Sequence, residues 1–291
     1  RELAPLERVA NTARRVRELP LSTSGVDERV ATEGAPSEVA DVAIAFNDML
    51  DHVDASLEAR ASNEERLRRF IADASHELRT PLVSIRGYAE LYRRSDADAA
   101  ERASAMARIE SEAKRMGVLV DDLLLLARLD QGRPLLREPV DIVQLAAETA
   151  SDAQVAATGH RLVLDLPAEP VYAMGDADRL RQVLVNLVAN AVRHTPEGTK
   201  VTISASARAQ TQRARLVVTD DGPGVPAALQ PRVFERFTRA DESRSRSAGG
   251  SGLGLSIVAA VVTALDGTVG LDSTPGRTEV VVELPLSPSP V

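Results

Sequence analysis

Apolar residues between positions 67 and 92 recur at steps of three and four, the spacing of a long helix that packs along one side. They are Leu67, Ile71, Ala74, Leu78, Leu82, Ile85, Ala89 and Tyr92. A polar turn at 95–98 breaks the pattern, and a second striped helix follows, with Ile109, Ala113, Met116, Val120, Leu123 and Ala127. This pattern predicts an antiparallel helical hairpin with too small a core of its own. We therefore expect two copies to form a four-helix bundle as a homodimer.

A similar but shorter pattern precedes the hairpin. Residues 1–19 read as an amphipathic helix, residues 21–36 as a polar connector, and a second helix begins near Ser37, a good N-cap residue. Its stripe is Val39, Val42, Ala43, Phe46, Met49, Leu50 and Val53. Two striped helices joined by a connector cannot bury their apolar faces alone, so this segment too is expected to pair with a second copy.

The sequence changes character after Gly132 and Pro134, which end the second hairpin helix. From about Glu138 the pattern becomes mixed. Strands are predicted at 161–166, 171–174, 200–207 and 213–219, helices at 176–194 and 252–265, and a terminal hairpin at 268–271 with 278–284. This order predicts a compact α+β domain with helices over one face of a sheet.

Composition narrows the possible functions. The 291-residue chain has a formal net charge of −8, which disfavours nucleic acid as a main partner. It has no cysteine, so disulfides and thiolate metal sites are excluded, and the spacing of its 4 histidines suits no shared metal site. No apolar run reaches the roughly 18 residues of a membrane span. Because the chain begins inside a helical pattern, we expect it to be the soluble part of a longer protein.

The segment SHELRTP within the first hairpin helix carries the most unusual side chains. His76 lies two residues past Ala74 and so faces away from the apolar stripe, with Thr80 one turn later on the same face. Glu77 is placed to orient the imidazole or accept its proton, which would make it a better nucleophile. Pro81 cannot donate to the Glu77 carbonyl and weakens the helix there. The alternative is a surface histidine beside a proline kink.

Three segments of the mixed domain have the chemistry of a nucleotide site. The helix at 180–194 carries Asn186, Asn190, Arg193 and His194 on its polar face, and amide oxygens suit Mg²⁺. Asp220, at a strand end before glycines, can accept a hydrogen bond from a base amine. The glycine-rich run at 249–255 opens a helix, where free N–H groups bind phosphate. Taken singly, these are equally a solvent-facing surface, a plain turn and a flexible hinge.

Together, the segments resemble a bacterial sensor histidine kinase of two-component systems. FIADASHELRTPLVSIRGYAELY at 70–92 resembles the phosphoacceptor box, and NLVANAVRHT at 186–195 the asparagine box. Residues 220–224 and 250–255 resemble the two glycine boxes, and VFERF at 233–237 the phenylalanine box. The resemblance implies a multidomain chain: a HAMP-like relay at 1–58, an all-α dimeric hairpin at 59–133, and an α+β sandwich ATP-binding domain of the GHKL (Bergerat) type at 134–291.

The resemblance also implies a role for each matching residue. His76 accepts the γ-phosphoryl of ATP, Glu77 acts as general base or orienting acid, and Thr80 positions water for dephosphorylating the partner. Asn190 ligates Mg²⁺. The remaining nucleotide contacts are implied at Asn186, Arg193, His194, Asp220, Gly222, Gly224, Arg239, Gly250, Gly252, Leu253 and Gly254. The phosphohistidine then passes its phosphoryl group to an aspartate of a cognate response regulator.

The sequence departs from the family pattern at three places. His194 stands where tyrosine is common, Asp221 where asparagine is common, and residues 37–40 depart from the usual HAMP pattern. Two other functions compete with the kinase. A non-catalytic helical scaffold is disfavoured by the intact His76, Asn190 and Asp220. An ATPase of the gyrase, chaperone and mismatch-repair superfamily shares the nucleotide fold but has no use for the histidine helix.

Overall fold

The computed structural model describes residues 11–12, 14, 29–30, 37–93, 98–157, 159–238 and 251–289. The chain divides into two compact units, residues 1–75 and 76–291. Several predictions fall outside the described residues. They are most of the helix at 1–19, most of the connector at 21–36, and the nucleotide contacts Arg239 and Gly250.

Helix α1, Ser37–Tyr92, begins at the predicted N-cap residue and contains Pro81. In the first unit, the Asn47 side chain bonds to both backbone groups of Val30, through Oδ1 at 2.9 Å and Nδ2 at 3.0 Å. Val30, Ala43 and Leu50 are buried there. Val30 is thus held against α1 by an amide that satisfies its backbone donor and acceptor together.

Helix α2, Ala99–Asp130, begins with a reciprocal capping box between Asp98 and Glu101. Gly132 follows its end with φ 68°, a left-handed conformation that glycine adopts without a Cβ clash. The predicted break at this glycine is confirmed. Of the described helices, none is both long and apolar enough to cross a membrane.

The mixed domain follows, with more elements than the sequence predicted. Helices α3, Ile142–Ala156, α4, Ala177–His194, and α5, Gly254–Ala264, accompany strands β1, Glu138–Asp141, β2, Arg161–Asp165, β3, Tyr172–Gly175, β4, Lys200–Arg208, β5, Arg213–Asp220, β6, Thr268–Thr274, and β7, Arg277–Pro285. Single 3₁₀ turns lie at Ala209–Thr211 and Gln230–Arg232. Helix α3 and strand β1 had not been predicted as separate elements.

The main sheet has the strand order β2-β4-β5-β7-β6, parallel between β2 and β4 and antiparallel elsewhere. Its buried residues alternate along β4 and β7, with the period of two that is typical of strands. A two-stranded sheet of β1 and β3 lies beside it. Helices α3, α4 and α5 contribute to one core with the sheet, which confirms the predicted α+β sandwich.

The C-terminal part of α2 belongs to that same core. Leu119, Leu125 and Leu126 are buried in the cluster formed by α4, α5 and the sheet. The predicted stripe residue Val120 is 41% exposed instead. Helix α2 therefore has two apolar faces, one packed on the α+β domain and one left open.

Candidate functional site

His76 is exposed on α1, with Glu77 half-buried beside it. The Thr80 hydroxyl donates to the His76 carbonyl oxygen at 3.4 Å, which fits the predicted shared face of the two residues. Pro81 is buried, and the helix continues past it to Tyr92 without interruption. The imidazole of His76 is thus presented to solvent from a continuous helix.

Helix α4 separates its apolar and polar faces cleanly. Asp176 caps its start by accepting from the Arg179 N–H at 3.2 Å. The six apolar positions of its inner face are all buried: Leu180, Val183, Leu184, Leu187, Val188 and Ala191. On the outer face, Asn186 and Asn190 are half-buried, whereas Arg193 and His194 are exposed. Burial of one face therefore fixes the direction in which the amides and cations point.

The N-terminus of α5 lies beside this polar face. The Asn186 side-chain amide donates to the Gly254 carbonyl at 3.4 Å, and a Cβ at Gly254 would lie 3.8 Å from the Asn186 Cγ. Among the described residues, no side chain caps α5, which leaves its first-turn N–H groups without a side-chain acceptor there. Gly252 has φ 70°, and its carbonyl accepts from the Phe237 N–H at 3.0 Å. An uncapped helix N-terminus next to an amide is suited to phosphate.

Leu253 lies between those two glycines but points inward. Its side chain is fully buried in the core cluster. Any contact of Leu253 with a nucleotide would therefore come from its backbone. The buried side chain fixes the start of α5 to the domain.

Asp220 ends β5 with a side chain only 7% exposed. Its Oδ1 accepts from the Gly222 N–H at 3.0 Å, and the Thr278 hydroxyl also donates to the carboxylate. Burial raises the pKa of Asp220 and the neighbouring Asp221 charge adds to this, although the bonds from Gly222 and Thr278 oppose it. A buried carboxylate held by two donors is a directed acceptor for a further N–H group.

The two glycines after Asp220 have no room for a side chain. A Cβ at Gly222 would lie 2.5 Å from the Thr195 Cγ2 and 2.8 Å from the Asp220 Oδ1. Gly224 has φ 84°, and its Cβ would lie 2.9 Å from the Thr274 backbone. Glycine is required at both positions, which supports the interpretation of 220–224 as a built site rather than a generic turn.

Thr278, Ser273 and Thr195 were not singled out from the sequence. Thr278 lies opposite Asp220 in the register of β5 and β7, and its hydroxyl is 3.1 Å from the Ser273 Oγ. Ser273 in turn accepts from the Val225 N–H at 2.8 Å. For Thr278 and Ser273 the sequence signal was a polar residue at an inward position of a strand.

The described residues fit a magnesium ion that is held mainly through phosphate. Among them, no group of three or more His, Cys, Asp or Glu side chains is suited to a metal. The Asn190 amide is half-buried on the face of α4 that also carries Asn186. Mg²⁺ commonly takes one or two protein oxygens together with waters and substrate phosphates, and an amide at this position meets that need.

Two family models match this chain. Residues 66–132 match "His Kinase A (phospho-acceptor) domain", and residues 175–288 match "Histidine kinase-, DNA gyrase B-, and HSP90-like ATPase". The probable sensor histidine kinase TcrY of Mycobacterium tuberculosis is 54% identical over 98% of this chain and 61% of its own length. The sensor histidine kinase TrcS of the same organism is 45% identical over 98% of this chain and 57% of its own length.

Solved structures agree with these matches. Full-length ShkA in complex with AMPPNP has a TM-score of 0.58 at 31% identity, covering 77% of this chain and 47% of that one. The Acinetobacter baumannii histidine kinase AdeS has a TM-score of 0.57 at 25% identity, covering 73% and 98%. With a histidine-bearing helical hairpin and a GHKL domain in one chain, this protein belongs to the bacterial two-component sensor histidine kinases.

Proposed function

We propose that this chain uses Mg–ATP to phosphorylate His76 and then passes the phosphoryl group to an aspartate of a response regulator. The observation that carries the proposal is the exposed imidazole of His76 on a hairpin helix, in the same chain as an ATPase-type domain with a buried, glycine-flanked carboxylate at Asp220. Each competing function leaves one of these two features without a use. A non-catalytic scaffold does not need the nucleotide site, and a free-standing ATPase does not need His76.

In the first step, a ring nitrogen of His76 attacks the γ-phosphorus. The new P–N bond forms as the bond from the γ-phosphorus to the bridging oxygen breaks, and ADP leaves. Glu77 takes or orients the imidazole proton. Arg193 and Arg239 compensate the negative charge of the transferring group, since positioned cations are the main catalysts of phosphoryl transfer.

The nucleotide is held at three places. Asp220 accepts from the exocyclic amine of adenine, and Gly222 and Gly224 let the backbone approach the base. The N–H groups at Gly252 and Gly254, with Gly250, bind the phosphates, and Asn186 supports them. His194 packs against the adenosine. Mg²⁺, when bound at Asn190, neutralises phosphate charge and orients the leaving ADP oxygens.

The second step regenerates the imidazole. A carboxylate oxygen of the regulator attacks the phosphorus, the P–N bond breaks, and His76 recovers its lone pair. Thr80, one turn from His76, is proposed to position water for hydrolysis of the regulator's aspartyl phosphate. The chain would then act as kinase and phosphatase from one helix face.

We further propose that the active form is a homodimer. Large apolar side chains on the outer faces of the hairpin helices are exposed, at 56% for Leu67 and Ile71 and 57% for Leu82. Such a continuous apolar stripe is unfavourable in water and is suited to a second copy of the hairpin.

The chain spans about three fifths of the length of the curated relatives it matches. A HAMP-type relay at 1–58, sensing, membrane attachment and a cytoplasmic location therefore belong to the proposal for the whole protein. The bonds that hold Val30 to Asn47 are compatible with a relay connector packed on its helix.

Incubation with γ-labelled ATP and Mg²⁺ tests the proposed function. Wild type should gain one acid-labile, base-stable phosphate per chain, and His76→Gln should gain none while binding ATP normally. Asn190→Asp should lose Mg-dependent labelling. Thr80→Ala should keep autophosphorylation and lose regulator dephosphorylation.

Each competing function gives a different result. An unlabelled wild type that binds Mg–ATP would support the scaffold. Multiple turnovers of ATP hydrolysis that persist in His76→Ala would support the ATPase.

A further inference from the structure

His160 lies in the loop before β2 and is fixed to the loop after α4. The Gly198 N–H donates to the Gly159 carbonyl at 2.6 Å, and the Arg161 N–H donates to the Thr199 carbonyl at 3.0 Å. The residues on both sides of His160 are therefore bonded to the segment that begins at Thr195. No role was assigned to this histidine from the sequence.

The His160 ring contacts Thr195 through Nε2. It lies 3.0 Å from the Thr195 hydroxyl oxygen and 3.4 Å from the Thr195 carbonyl oxygen. The Thr195 hydroxyl donates its one proton to the Ala191 carbonyl at 2.7 Å. Because that proton is used and a carbonyl only accepts, His160 must be the donor in both contacts. The imidazole therefore carries a proton on Nε2.

The other ring nitrogen supports this assignment. The Nδ1 atom is buried and has no hydrogen-bond partner among the described residues. A buried N–H group without an acceptor is more costly than a buried unprotonated nitrogen. The hydrogen-bond geometry thus assigns a proton to Nε2, and this N–H holds Thr195.

Thr195 connects this histidine to the proposed adenine site at Asp220. With its hydroxyl held by His160 and Ala191, the Thr195 methyl group faces Gly222, 2.5 Å from where a Cβ there would lie. The Gly222 N–H in turn donates to the Asp220 carboxylate at 3.0 Å. Rotation of the Thr195 side chain would move its methyl group away from Gly222. The Gly222 N–H would then be held less firmly against the Asp220 carboxylate.

We propose that His160 is a positioning residue for base recognition: its Nε2–H fixes the Thr195 rotamer, and the Thr195 methyl group holds Gly222 against the Asp220 carboxylate. This inference rests on the proposed ATP site. Its chemical consequence is selectivity. A carboxylate accepts from the amine of adenine and repels the carbonyl oxygen at the equivalent position of guanine, but only while its direction is fixed.

The test uses His160→Phe, which keeps a ring and loses the donor, and His160→Gln, whose amide can donate from a similar position. Binding of ADP and GDP is measured by calorimetry on the 291-residue chain, and KM and kcat are measured for ATP. His160→Phe should weaken ADP binding and raise KM on the order of five-fold, with kcat little changed, because one neutral hydrogen bond is lost. The preference for ADP over GDP should fall, and His160→Gln should restore both.

A double-mutant cycle shows whether His160 acts through Thr195. Thr195→Val loses both hydroxyl bonds, so His160→Phe should have no further effect on ADP affinity in that background. Thr195→Ser keeps the hydroxyl and removes only the methyl group, and it should also weaken ADP binding. If His160→Phe does not fold, Thr195→Ser and His160→Gln still carry the test. Additive effects, or wild-type affinity in both His160→Phe and Thr195→Ser, would overturn the inference.

Thr199→Val is the matched control. Thr199 lies in the same loop and donates to the Pro196 carbonyl at 2.7 Å, without a part in the pocket. It should lower thermal stability and leave the ADP to GDP ratio unchanged, and a ratio that falls equally would assign the effect to the loop in general. Failure of the proposed kinase function is distinguishable, because it appears as a wild type that gains no label from γ-labelled ATP, whereas failure of this inference appears as unchanged ADP affinity and ADP to GDP preference in the variants.

Discussion

The α+β domain buries its large apolar side chains, whereas the two hairpin helices leave several of theirs exposed. The domain buries Leu184, Ile257 and Leu284 completely between its sheet and helices. The hairpin helices leave Leu82 and Val83 57% exposed and Val118 62% exposed. The domain has its core within one chain, whereas the hairpin depends on other surfaces. An α+β domain with its own closed core thus follows a helical hairpin whose exposed apolar surface is available to another chain.

Helix α2 belongs to both regions. Leu119, Leu125 and Leu126 are in the domain core, while Leu124 is 50% exposed. The face of α2 that is committed to its own domain is therefore distinct from the face available to another chain. Four predictions test this division.

The largest effect is expected inside the domain. Leu184→Ala should lower the free energy of unfolding by about 3 kcal/mol, because a fully buried leucine leaves a cavity. Chemical denaturation followed by circular dichroism measures it. Val185→Ala, the next residue on α4 and 48% exposed, should change it by less than about 0.5 kcal/mol. Equal effects would remove the contrast between the faces of α4.

The hairpin should respond in association rather than folding. Leu82→Glu should raise the dimer dissociation constant on the order of 100-fold, because two copies of a charge enter an apolar seam. Sedimentation equilibrium measures it, with the domain still folded. Leu164→Glu, at a site 44% exposed on β2, is the control and should leave the dimer intact. A Leu82→Glu dimer of normal affinity would mean that this face is not the seam.

Asp122 tests the junction between α2 and α4. Its carboxylate accepts from the Gln182 amide at 3.3 Å, and burial, with a smaller contribution from Asp121, raises its pKa to about 6. Because the folded pKa lies above the unfolded value of 3.8, the folded state binds more protons between these values. Stability from this group is therefore full below about pH 4 and is lost as pH rises through about 6.

Asp122→Asn should abolish the loss of stability that accompanies ionisation of this carboxyl at higher pH. We expect a gain of roughly 1 kcal/mol at pH 7.5 after allowance for solvent screening, and almost none at pH 4. Denaturation midpoints across this pH range measure it. Asp121→Asn should keep most of the pH slope, since burial is the main cause of the shift. A slope unchanged in Asp122→Asn would assign it to another group.

The smallest effect is expected at the end of α2. The Arg236 guanidinium donates to both carboxylate oxygens of Asp130, at 2.6 and 2.9 Å. Asp130 is 53% exposed, so Asp130→Asn should cost about 0.5 kcal/mol at low salt and less at 1 M salt. Arg232→Gln, which breaks the exposed ion pair between Arg232 and Glu235 in the same segment, is the control. A loss that does not depend on salt would contradict a screened surface pair.

Much of the site was predictable from local sequence. The break at Gly132, the two faces of α4 and the strand before Asp220 follow from periodicity and turn chemistry, which act within a few residues. The polar support behind Asp220 was not predictable. Thr278 is 58 positions away in sequence and meets Asp220 only through the pairing of β5 and β7. Only the run of leucines at 123–126, apolar on every side of a helix, signalled that α2 has a second buried face.

The sequence by itself determined the family, the hairpin helices, the helix at Ala177–His194 and the residues proposed to carry the chemistry, because each is encoded in short-range spacing of side chains. The tertiary structure decided which face of α2 is committed to the domain, and how Thr278 and Thr195 surround Asp220. Those relations depend on strand register and on packing between distant segments. They are fixed only when burial of the whole core selects one arrangement.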